Sequence, residues 1–126
     1  MTDLLPPHQL WPWPEVRTIA YMRCRGRCEL CGLHLGDLWD GHHRQLRSGG
    51  GPSCTCNALA LHPGCHTSGP NAVHVRVRTA TASGHNVSRY ADPRDVPVAV
   101  PVAVHLLGGG LAGDGRVSLS CGGTYL

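Results

Sequence analysis

The residues with the clearest chemistry in this 126-residue chain are cysteines and histidines in short, repeated spacings. Cys28-Glu-Leu-Cys31 and His62-Pro-Gly-Cys65 are two such pairs about 30 residues apart, the pattern of a structural tetrahedral zinc site. Three soft thiolates and one imidazole leave no open position for a substrate, so the task of such a set is to hold the chain. Gly32 directly after the first pair and Pro63-Gly64 inside the second supply the tight turns that knuckles need. Cys24, Cys54 and Cys56 are competing donors, in which case His62 would be an ordinary surface histidine. His42-His43, Asn57 and His66 are not needed by this centre and are left for chemistry. Adjacent histidines on a strand face opposite ways unless a local distortion turns both to one site.

The elements that must position these residues are short. Residues 1–13, with Pro6, Pro7, Pro12, Trp11 and Trp13, read as an extended arm. Pro14-Glu15 starts a helix, and Val16, Ile19, Ala20 and Met22 or Arg23 give it an apolar face as far as Gly26. Residues 38–46 suit a strand leading into a Gly-rich loop at Ser48–Pro52, and Asn57–Leu61 is a second apolar segment that runs into the second knuckle. Ser68-Gly69-Pro70 reads as a turn and helix start with Ala72, Val73 and Val77 on its buried face, although the β-branched content of residues 73–81 would equally suit a strand. From Asp92 the pattern alternates through Leu107, with Pro97 and Pro101 restricting it to an edge or extended path. A loop at Gly108–Gly115 and a returning strand at residues 116–120 complete a hairpin-like tail.

Length bounds this to one domain with a small core that a structural metal would help to hold. The chain has no Phe, so its core must come from Val, Leu, Ala and the three Trp. All eleven basic residues are Arg and the net charge is +3, a bias compatible with nucleic acid and with the composition of a GC-rich genome. Seven cysteines, two of them in a tight knuckle, point to a reducing compartment rather than a disulfide framework. Leu4-Leu5 runs straight into Pro6-Pro7 and no apolar run reaches the ~20 residues of a membrane span, so a cytoplasmic protein without a membrane partner is expected.

In combination, Cys28-Glu-Leu-Cys31, His42-His43-Arg44, Ser48-Gly-Gly-Gly51 and Asn57-Ala-Leu-Ala-Leu-His-Pro-Gly-Cys-His66 resemble the HNH endonuclease family, over about residues 15–90. Two departures are His62, where the family usually has Cys, and Ala58, where it usually has Leu. The resemblance implies an α+β fold, a zinc-braced ββα-metal core with an N-terminal helix and a C-terminal β-hairpin-like extension. It divides the chain into an arm (1–13), a nuclease domain (14–90) and a β-rich extension (91–126). A looser similarity of Thr67–His74 and Asp92–Val98 to small HNH proteins of actinobacterial phages implies a viral source, the host cytoplasm as location, and a part in genome packaging beside a terminase large subunit.

The implied activity is metal-dependent hydrolysis of DNA phosphodiesters. By its place in the motif His43 is the general base, and histidine suits that task because its unperturbed pKa lies near neutrality. His42 and His66 are the implied ligands of a divalent cation, Mg²⁺ or Mn²⁺, with a structural Zn²⁺ at Cys28, Cys31, His62 and Cys65. Asn57 would orient the base or its loop, or join the cation's ligands. His74 lies eight residues after His66, which on a continuous helix is about 12 Å, too far to share a metal without a break at Gly69-Pro70; it is a third ligand or a surface histidine. Arg44 and Arg47 flank the loop after the base and are candidates for the DNA backbone, and Arg23, Arg25 and Arg27 cluster before the first knuckle. The three Trp read as packing residues, and His8, His34, His85 and His105 have no evident partner. The competing readings are a zinc-knuckle module that binds nucleic acid or protein without catalysis, and a restriction-type HNH nuclease of host origin. The oligomeric state is not written in the sequence.

Overall fold

The computed structural model describes residues 8, 10–101, 104, 110–111 and 116–121. The expected arm at 1–7, most of the loop at 108–115, and His105 lie outside the described residues. The fold is a small α+β arrangement of helix α1 (Trp13–Arg23), antiparallel strands β1 (Asp40–His43) and β2 (Ala58–Leu61), helix α2 (Val77–Ala82), and antiparallel strands β3 (Gly110–Leu111) and β4 (Val117–Ser118).

Pro14 sits in the first turn of α1, where its missing N–H costs nothing, with Glu15 beside it and Arg23 in the last turn, both matched to the helix dipole. The buried stripe is Val16, Ala20 and Arg23, so Arg23 and not Met22 completes the face. Val16 and Ala20 pack with Ala58 and Trp13, which lays α1 against β2. A buried arginine needs partners, and Arg23 has them: its guanidinium donates to both Glu29 carboxylate oxygens at 3.3 and 2.8 Å and to the carbonyls of Thr55 and Ala58. Glu29 Oε1 also accepts from Ala60 N at 2.9 Å. One ion pair therefore ties α1, the first knuckle and β2 together.

The β1–β2 register pairs Asp40 with Leu61, Gly41 with Ala60, His42 with Leu59 and His43 with Ala58. β2 is buried along its whole length, with α1 on one side and the main core on the other. That core joins Leu59, Ala60 and Leu61 to Val73, Ala80, Val98, Val100, Val117 and Leu119, so residues beyond 91 share it with the strands. Val98 bridges Val117, which shows the returning segment 116–120 meeting both the Val-Pro stretch and Gly110–Leu111.

Two expected elements are shorter than their patterns suggest. β1 stops at His43 because the next residues turn: Gln45 N is taken by the Asn57 side chain at 2.7 Å, and Gly49 and Gly51 N both return to Leu46 O. A Cβ on Gly51 would fall 1.8 Å from Gln45 O, so only glycine permits this loop. The helix expected from Pro70 begins only at Val77, and Val77 itself is exposed; Ala72 and Val73 are buried from turns, not from a helix face. Among the described residues no helix is long and apolar enough to cross a membrane.

Candidate metal centres

Cys28 and Cys31 sit on a knuckle closed by Cys28 N to Leu33 O and Gly32 N to Cys28 O, both 2.8 Å, with Leu30 N donating to Cys28 Sγ at 3.4 Å. The second knuckle is closed by Cys65 N on His62 O at 2.9 Å. Together Cys28, Cys31, His62 and Cys65 bring one ligand atom each to within 4.8 Å of one another. His62 Nε2 donates to His34 O at 2.7 Å, which fixes the tautomer and leaves Nδ1 as the lone pair, 3.2 Å from Cys31 Sγ. Burial pushes the Cys28 thiol up, but backbone N–H groups of Cys31, His62 and Leu30 outweigh it and hold the thiol below its ordinary range. Three thiols and one oriented imidazole suit a metal ion such as Zn²⁺ in a closed tetrahedron.

His42, His66 and His74 form a second cluster, again with ligand atoms within 4.8 Å of one another and ring centroids 4.8 to 5.3 Å apart. His42 projects inward from β1. Its Nε2 faces His85 O and Asn86 Oδ1, both at 2.9 Å, and Asn86 is fixed in that sense by donating its Nδ2 to Val73 O. Nε2 therefore carries the proton and Nδ1 is the free lone pair. His66 Nδ1 donates to Asp40 Oδ2 at 2.9 Å, which leaves Nε2. Burial holds His42 neutral, down to about 3, despite the opposing pull of the His85 carbonyl.

The turn that carries both Cys65 and His66, Gly64–Ser68, is a single wide turn closed by Gly69 N on Gly64 O at 2.9 Å. A Cβ on Gly69 would lie 2.3 Å from that same oxygen, so the closure needs glycine. After it the chain reverses, and Val73 N and His74 N bond Cys65 O and His66 O at 2.9 and 3.1 Å. That reversal supplies the break that a shared site needs: His74 stands beside His66 instead of two helical turns away, and its side chain is exposed. The three imidazoles grade from buried His42 through half-buried His66 to exposed His74, and one pocket is lined by all three together with His43, Arg47 and Ser48.

His43 leaves the cluster on the opposite side of β1, as the strand period requires, yet borders the same pocket. Its ring stacks on Trp13, centroids 3.6 Å apart and 13° from parallel. Burial, and then the Arg47 charge, hold its imidazole below the ordinary range and so in its neutral form.

Of the two roles open to Asn57 the structure fits the loop-orienting one, and the role expected for Arg44 needs correction. Asn57 is fully buried and spends its amide on Gln45 N, Gln45 O and Pro52 O, so it braces the loop after His43 and is no metal ligand. Arg44 cannot reach DNA: it is buried, and its guanidinium donates to the carbonyls of Gly84, Cys56, Pro93 and Val96. Desolvation, and then the nearby Arg23 charge, bring it down to about 10, and four carbonyl acceptors are what allow a cation there at all. Arg47, by contrast, is exposed at the pocket rim.

Of the competing thiols, Cys24 donates to Tyr21 O at 3.3 Å and is pushed up to about 12 by burial and by Glu29, which leaves it outside every cluster. Cys54 and Cys56 lie in a different cluster from the knuckles. Asp40 carried no role in the sequence pattern, although its place two residues before His42 puts both on one face of β1; Asn86 carried none either, and His85 was left without a partner, because no spacing connects these two to β1. The chain matches no protein-family model, no curated protein and no solved structure.

Proposed function

We propose that the chain is a metal-dependent endonuclease of the HNH type that hydrolyses DNA phosphodiesters. The observation that carries this reading is the pairing of an incomplete metal centre, His42, His66 and His74, with a neutral histidine, His43, on the rim of the same pocket. The order of strand, Gly-rich loop, strand and wide turn agrees with the motif resemblance over the same residues.

His42, His66 and His74 would hold a divalent cation, and the imidazole donor set favours Mn²⁺ or a later transition ion over Mg²⁺, which prefers oxygen. Such a cation, when bound, polarises a phosphoryl oxygen and stabilises charge on the leaving oxygen. His43 takes a proton from the attacking water through its lone-pair nitrogen, as the new P–O bond forms and the bond to the leaving oxygen breaks. Trp13 holds the His43 ring in plane, and Asn57 fixes the loop that starts two residues later. Arg47 supplies positive charge for a backbone phosphate, which positions without reading sequence.

The test is nicking of supercoiled plasmid by the purified chain with Mn²⁺, Mg²⁺, Co²⁺ or Zn²⁺. Cleavage that needs an added cation and is lost in His42→Ala and His66→Ala supports the reading. Salt-sensitive DNA binding with no nicking under any cation would instead identify a binding module.

A further inference from the structure

We propose that His8, Cys54, Cys56 and Cys121 form a second structural zinc centre, one that pins the segments around residues 8 and 121 to the loop ahead of β2. Their ligand atoms all lie within 4.8 Å of one another. Cys54 Sγ is 2.9 Å and Cys56 Sγ 3.5 Å from Cys121 Sγ, while His8 Nδ1 is 3.1 Å from Cys121 Sγ and 3.3 Å from Cys56 Sγ. Two thiolates on one Zn²⁺ stand about 3.7 Å apart, whereas a disulfide is about 2.05 Å. The Cys56–Cys121 distance fits the first arrangement and the Cys54–Cys121 distance falls between the two, but a disulfide joins only two sulfurs, whereas here three sulfurs and one nitrogen converge on a common point.

The imidazole is oriented as in the first Cys3His centre. His8 Nε2 lies in ion-pair range of Asp92 Oδ1 at 3.4 Å, and the other nitrogen, Nδ1, is the one turned to the sulfurs. Asp92 is itself held by Arg94, through the backbone N–H at 2.9 Å and the guanidinium at 2.8 Å. The loop is shaped for two donors. Cys54 is extended and Thr55–Asn57 makes a tight turn, closed by Asn57 N on Cys54 O at 2.9 Å, which brings two thiols separated by one residue to one side.

Independent contacts bring the two distant segments alongside. Thr55 Oγ1 donates to Ser120 O at 2.7 Å, and Ser53 and Trp11 exchange two hydrogen bonds of 2.6 and 3.0 Å. Cys54 and Cys56 are buried, and Cys121 and His8 are half-buried, so the set is closed like the knuckle centre. A crosslink between positions 113 apart matters in a chain whose core contains no Phe.

Cobalt substitution tests this without reference to cleavage, because thiolate-to-cobalt charge transfer comes only from sulfur-ligated sites and the His42 centre is silent. In protein purified with reductant, wild type should show sulfur-bound Co²⁺ in two sites, and Cys54→Ser/Cys56→Ser should halve the near-ultraviolet intensity and lose one zinc per chain by elemental analysis. Should that variant not fold, His8→Ala replaces it: one of two sulfur-bound zinc ions should pass to a chromogenic chelator at least about tenfold faster, and His8→Cys should restore retention. Full wild-type zinc and charge transfer in Cys54→Ser/Cys56→Ser, wild-type zinc release from His8→Ala, or a Cys54–Cys121 disulfide in the reduced preparation would overturn the proposal. A chain that cuts no DNA can still pass this test, so the two readings fail separately.

Discussion

Cys65 and His66 are neighbours on one wide turn, yet they face two centres of opposite character. Cys65 completes a set of three thiols and one imidazole on two knuckles, with no position left over. His66 joins two further imidazoles that reach from the interior to the surface and border a pocket. The difference lies in donor number and softness: four donors with thiolates saturate a tetrahedral ion, three imidazoles leave room for water or a phosphate oxygen. The lesson is that the closed centre is the frame for the open one. With Gly64–Ser68 held through Cys65, His66 has little freedom left, and Asp40 then settles which nitrogen it presents.

If that division holds, damage on the closed side should unfold the chain and damage on the open side should not. Cys28→Ser/Cys31→Ser should have the largest effect, because structural zinc contributes about 10–16 kcal/mol to folding, as much as the whole stability of a small domain at about 5–15 kcal/mol. Circular dichroism should show loss of the cooperative melt. His43→Ala should lower cleavage by about 10²–10⁴-fold with zinc content and the melt retained; persistent cleavage would remove His43 from the chemistry. Arg23→Ala leaves Glu29 buried and unpaired between the knuckle and β2 and should cost about 3–5 kcal/mol in denaturant titrations, with cleavage by the remaining folded fraction unchanged. Asp40→Asn should weaken the cation dependence of cleavage about 10–100-fold, read as a shift in half-activating Mn²⁺, with the melt unmoved. The smallest effect is expected for Arg47→Ala, which should reduce the salt slope of DNA binding by about one and leave stability within about 0.5 kcal/mol.

The parts of this molecule that were legible in the sequence are those set within a few residues. Pro14-Glu15 announced α1, and the i, i+3 pairs at Cys28/Cys31 and His62/Cys65 announced two knuckles, because a turn of fixed size puts those donors side by side whatever the rest of the chain does. The exposure of Arg47 and the burial of Arg44 were not legible. Both are arginines beside the same Gly-rich loop, and only the carbonyls of Gly84, Pro93 and Val96, brought in from about 40 to 52 residues away, decide that one becomes an internal brace. β1 read as longer than it is because Arg44-Gln45-Leu46 holds no Gly, Pro or Asn to mark a turn, which is set only when Asn57, 12 residues on, captures the Gln45 amide.

The sequence by itself therefore determined the local donor pairs, the start of the first helix, and the presence of a histidine pair beyond what one zinc site needs. Tertiary structure alone decided which residues complete each centre. His74 enters the histidine cluster because the chain reverses after Gly69, and His8 meets Cys121 across 113 positions because both segments dock on the loop at 53–56. Spacing encodes the reach of a single turn. It does not encode which distant segment the packed core will return to the same place, and a metal centre built across such segments is visible only once the core has formed.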